Sequence, residues 1–111
     1  MSFTPTLTIV IPAFNEAENL PPVLDAALSF IEHQCRDARL LIIDDGSSDG
    51  TAGVLAGYAE KHPQRLRVIT HPQNRGLTAA LRTGFFDADS EYVTWIPADG
   101  QIPLAELGKI L

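Results

Sequence analysis

Residues 40–51 read LLIIDDGSSDGT. Leu40, Leu41, Ile42 and Ile43 make a short apolar run that stops at Asp44, which is the signature of a buried strand. Gly46 to Gly50 is rich in turn formers, with Asp49 placed to cap a helix starting just after it. Thr51, Val54, Leu55, Tyr58 and Ala59 then recur at helical spacing until the chain approaches Pro63. The same strand, turn and helix repeat on either side. Upstream, Leu7 to Ile11 is a β-rich run ended by Pro12, followed by a helix carrying Leu20, Val23, Leu24, Ala27, Leu28 and Ile31, with Pro21 and Pro22 in its tolerant first turn. Downstream, Leu66 to Ile69 is a third strand, and Asn74, Arg75 and Gly76 separate it from a helix bearing Leu77, Ala80, Leu81 and Phe85. A fourth strand from Tyr92 to Ile96 ends at Pro97. This alternation predicts an α/β fold, a mostly parallel sheet of about four strands with helices on both faces.

Composition bounds the function classes. At 111 residues, the chain is long enough for one compact core and short for an enzyme with two substrates, so residues 1–111 are read as one incomplete domain. Its net charge of −6 and scattered Lys and Arg argue against a nucleic-acid partner, which needs clustered cations. Carboxylates and phosphates can share a site when a divalent cation lies between them, so the acidic balance is compatible with a metal-bridged phosphate ligand. Cys35 is the only cysteine, which leaves no disulfide framework and suits a reducing compartment. The apolar runs are strand-length, and the N-terminus lacks a basic region followed by a long apolar stretch.

Ligands of such sheets bind beyond the carboxyl ends of the strands. Those positions hold Pro12, Asn15 and Glu16 after the first strand, Asp44 and Asp45 after the second, His71 after the third, and Asp99 with Gln101 after the fourth. Loop carboxylates often only cap helices or make turns, but acids follow three of these four strands on one rim. Neither a G-x-G-x-x-G dinucleotide fingerprint nor a G-x-x-x-x-G-K-[ST] phosphate loop occurs. A receiver domain would carry its acidic pair after the first strand.

Taken together, Ile11-Pro12-Ala13-Phe14-Asn15-Glu16, Ile43 through Thr51, Asn74-Arg75-Gly76 and Pro97-Ala98-Asp99-Gly100-Gln101 resemble family 2 glycosyltransferases of the Rossmann-like GT-A fold. Within that family, the last motif and the segment 74–84 resemble the branch that makes dolichyl- or undecaprenyl-phosphate sugars. The resemblance implies that Pro12, Phe14 and Glu16 line the base and ribose end of a donor pocket and that Asp45 hydrogen-bonds the base. A carboxylate suits that task because it accepts from the ring N–H of uracil or guanine. Asp44 is expected to orient the loop, and Gly46, Asp49, Gly50 and Thr51 to be structural. Asp99 corresponds to the final acid of the family's D-x-D-type motif and is expected to be the catalytic metal ligand, holding Mg²⁺ or Mn²⁺ with help from the Gln101 carbonyl oxygen. Pro97 departs from the pattern by replacing the first acid of that motif, so the expected clamp has one carboxylate, which Mg²⁺ tolerates. Arg75, beside the Asn-x-Gly turn, is expected to approach the diphosphate. His71 reads as a turn residue and Trp95 as core.

These expectations describe the donor-binding part of an inverting enzyme that takes a sugar from a UDP or GDP donor to an acceptor such as a polyprenyl phosphate. The apolar pattern that starts at Pro103 and Leu104 is still running at Leu111, so the acceptor half is expected to lie elsewhere and the fragment alone to be inactive. Apolar surface exposed by truncation would then favour self-association. The expected location is cytoplasmic, with the full-length protein membrane-associated on the cytoplasmic face. Two alternatives stay open: a non-catalytic nucleotide-binding or interaction module, and a nucleotidyltransferase with a related core.

Overall fold

The computed structural model describes residues 6–35 and 37–99. Four strands alternate with three helices among them: β1 (Leu7–Ala13), α1 (Leu20–Gln34), β2 (Ala38–Asp44), α2 (Thr51–Lys61), β3 (Leu66–Thr70), α3 (Leu77–Asp87) and β4 (Tyr92–Trp95). All pairings are parallel, and the strand order is β3-β2-β1-β4. The chain therefore steps outward from β1 to β3 and then returns across β1 to lay down β4. Right-handed crossovers place helices on one face while the chain moves one way and on the other face after it reverses.

The core shows that division. Ile9, Ile11, Leu40 and Ile42 pack with Leu20, Leu24, Ile31 and Leu55 from α1 and α2. Val10, Leu41 and Ile43 turn to the opposite face and meet Ala80 and Leu81 of α3. Because both faces are covered, β1 and β2 are nearly continuous apolar runs. Gly84 lets α3 lie close to the sheet, since an added Cβ would stand 2.5 Å from a Val10 methyl carbon.

β1 runs through Pro12 to Ala13, two residues past its expected end at Ile11. The Ala13 carbonyl accepts from Asp45 N–H on the β2 side, and the Val10 carbonyl accepts from Ile96 N–H on the β4 side. Alternation turns the Pro12 nitrogen toward β4, whose ladder with β1 ends at Val10 and Trp95, so no ladder bond is lost there.

The expectation that Trp95 is core is not met. Trp95 is 37% exposed and Tyr92 59%, because β4 is an edge strand among the described residues. No helix among the described residues is long and apolar enough to cross a membrane.

Candidate functional site

The reversal in strand order lies between β1 and β4, and in parallel sheets of this kind the crevice at such a switch point is where ligands bind. On this rim, the loops after β1 and β2 are laced together. Asn15 adopts a left-handed conformation, φ 53°, which Asn tolerates better than most residues. Its side-chain oxygen accepts from Ser48 N–H at 2.8 Å, and its own N–H donates to the Ser47 hydroxyl at 2.9 Å. Glu16 N–H donates to the Thr51 hydroxyl oxygen, while Asp49 accepts from the Thr51 and Ala17 N–H groups. Asp44 orients the loop as expected, because its buried carboxylate accepts from Ser47 N–H at 3.1 Å.

Asp45 joins β2 to the loop before α3. Its Oδ1 accepts from His71 Nδ1 at 2.7 Å and from Arg75 N–H at 3.0 Å, and its Oδ2 accepts from Gly76 N–H at 2.8 Å. Asp45 as a whole is 3% exposed. Burial alone would raise its pKa, but the bonds from His71, Arg75 and Gly76, with the His71 charge, outweigh that and hold it below the ordinary carboxylate value. Its position at the N-terminal end of α3 adds the favourable side of the helix dipole. Gly76 must be glycine here, since φ 96° and ψ 165° fall in a region that other residues avoid.

His71, expected to be a turn residue, is buried instead. Its Nδ1 faces Asp45 and its Nε2 meets the Thr83 hydroxyl at 2.8 Å. Its place after β3 signalled the rim, but Thr83 lies twelve residues away on α3, and no local pattern ties the two together.

A recess of about 240 Å³ opens at this point, walled by Pro12 and Phe14 from the end of β1, by Asp45, and by Asn74, Gly76 and Leu77. It is mostly apolar with a buried carboxylate in its wall, a combination suited to a flat heterocycle with a polar edge. Two wider hollows, about 350 and 490 Å³, lie at the far ends of α1 and α2 and between β3 and α3. Neither sits beyond the strand ends, so the smaller recess is the better candidate.

The structure thus brings Pro12, Phe14 and Asp45 together. Glu16 is half-buried and outside that wall, with its carboxylate accepting from the Asn19 amide at 2.8 Å. The Arg75 backbone joins the Asp45 cluster, and the residue as a whole is exposed. Asp99 follows β4, the neighbour of β1, and is exposed on the same rim. Among the described residues, no three His, Cys, Asp or Glu side chains gather as a metal site, and Gln101 lies outside the described residues.

The family model for glycosyl transferase family 2 matches residues 8–111. The chain belongs to that family. Like other members, this family 2 chain has a Rossmann-like GT-A core: it superposes with a TM-score of 0.75 and 28% identity on a mannosyltransferase from Pyrobaculum calidifontis in complex with GDP-Man and Mn²⁺, covering 87% of this chain and 28% of that one. It is 36% identical over 113 residues to the human dolichyl-phosphate beta-glucosyltransferase, covering 96% of this chain and 35% of the relative. It is 30% identical over 105 residues to an undecaprenyl-phosphate 4-deoxy-4-formamido-L-arabinose transferase from Photorhabdus laumondii, covering 95% and 32%. The chain spans about a third of the length of these curated relatives.

Proposed function

We propose that this chain is the donor-binding part of a glycosyltransferase that moves a sugar, with inversion, from a nucleoside diphosphate sugar to a polyprenyl phosphate. The observation that carries the reading is the recess at the strand ends, with Asp45 in its wall and Asp99 following the next strand across β1. Pro12 and Phe14 hold the base, Glu16 borders the ribose end, and Asp45 accepts from the base edge. Arg75, exposed at the mouth of the loop, reaches the diphosphate. The polyprenyl-phosphate relatives support the acceptor class, since this chain resembles both of them over nearly its whole length. A phosphate acceptor brings an oxygen that is already nucleophilic, so positioning and leaving-group stabilisation suffice without a strong base. The same relatives' lipid-linked acceptors support a full-length protein held at the membrane surface. Exposed Tyr92, Val93 and Trp95 on β4, with Phe86 on α3, supply the apolar surface for self-association.

Asp99 fits a divalent cation in chemistry: it is a hard oxygen donor, exposed on the rim where a diphosphate would lie. With Gln101, it would hold Mg²⁺ or Mn²⁺, which when bound neutralises charge on the departing diphosphate. The mannosyltransferase solved with Mn²⁺ supports that assignment. Asp99→Asn is expected to remove the Mn²⁺ dependence of nucleoside diphosphate affinity while leaving nucleoside affinity in place, as read by calorimetric titration with and without the metal. Metal dependence equal to that of the unaltered chain would refute the assignment.

A further inference from the structure

His71 is a buried titratable group that the donor-site reading does not use, and its geometry bears on which base the recess accepts. An ionised carboxylate offers about four acceptor directions, two on each oxygen. In Asp45, both directions on Oδ1 are taken, one by His71 Nδ1 at 2.7 Å and one by Arg75 N–H at 3.0 Å. On Oδ2, one is taken by Gly76 N–H at 2.8 Å, which leaves one. The carboxylate only accepts, so Nδ1 carries the proton, and the Thr83 hydroxyl at Nε2 fixes the plane of the ring. The two backbone donors are set by the path of the loop, which makes His71 the side chain that decides how many directions remain.

We propose that His71 is a specificity-determining residue, acting through Asp45, that makes the recess select a nucleobase with a single ring N–H donor between acceptors, as in uracil, over one with two adjacent donors, as in guanine. A guanine edge presents a ring N–H beside an amino group and would engage both oxygens of a free carboxylate. Here its second donor meets an Oδ1 whose acceptor directions are filled, and it loses its hydrogen bonds to water without replacement. Uracil presents one donor and fills the one direction left. This inference rests on the donor-site reading and narrows it.

The test is calorimetric titration of the chain with UDP, GDP and UDP methylated at uracil N3. The unaltered chain is expected to bind UDP at least about ten-fold more tightly than either of the others, the scale of one unsatisfied buried donor. His71→Asn, whose amide N–H can replace that of Nδ1, is expected to keep the preference for UDP over GDP. His71→Ala, shown to be folded by far-UV circular dichroism, is expected to narrow it to about three-fold or less, because a direction on Oδ1 is freed. GDP binding as well as UDP, or indifference to N3 methylation, would overturn the inference and leave nucleotide binding intact. Binding of no nucleotide by the folded, unaltered chain would overturn the donor-site reading and the inference with it.

Discussion

Gly46→Ala is expected to destabilise the chain by roughly 3 kcal/mol or more, among the largest effects available to a single methyl group. Gly46 has φ +73°, and a Cβ built there would stand 2.4 Å from the Asn74 nitrogen and 2.4 Å from the Gln73 carbonyl carbon. The left-handed backbone alone costs an alanine about 1–2 kcal/mol. The clash costs more, because the atoms met are backbone and cannot swing aside like the end of a side chain. The loop carrying Asn74 to Gly76 must move off, and with it go the bonds from Arg75 and Gly76 to Asp45. Urea denaturation measures the loss, and Gly53→Ala is the control. Gly53 lies within α2 with nothing within 4 Å of an added Cβ, so that change should raise stability by about 0.5–1 kcal/mol. Equal effects at the two positions would mean that the loops do not cross as described.

Asp45→Asn is the second large change. It keeps shape but replaces one acceptor oxygen with an NH2 group, which must face either Gly76 N–H or the donors from His71 and Arg75. Leaving buried donors unmatched should cost about 2–4 kcal/mol at neutral pH. The pH dependence has a definite sign. The folded-state pKa of Asp45 is held below the ordinary carboxylate value, so its stabilisation is complete above about pH 4 and is lost as the pH falls through that lower folded value. The stability gap between the unaltered chain and Asp45→Asn should therefore shrink in acid. A gap that stays constant from neutral pH to acid would show that the carboxylate's charge is not what matters.

Much of this fold is legible in the sequence because its signals are local. Each strand is an apolar run with a clear stop, and each helix shows its buried stripe, as at Leu20, Leu24, Ala27 and Ile31. The order of strands is not legible in the same way. Nothing in Leu66–Thr70 or Tyr92–Trp95 states that one joins β2 and the other β1, since that depends on which edge each crossover reaches. Trp95 shows the consequence: its apolar run reads as core, but its place on an edge strand leaves it exposed. Strand ends can be read directly, which put Pro12 and Asp45 on the rim, while Phe14 was singled out only through the family resemblance; the structure lines one recess with all three. His71 was not legible as their partner, because its burial is made by Asp45, twenty-six residues earlier, and by Thr83 on the following helix.

The measurement that bears most directly on the donor-site reading is a two-dimensional ¹H–¹⁵N NMR titration of the labelled chain with UDP. Occupation of the recess predicts that the amides of Phe14, Asp45, Asn74, Gly76 and Leu77, which wall it, shift together and saturate with one affinity. Shifts confined to Leu28, Ile31 and His62, around the hollow at the far ends of α1 and α2, would contradict it.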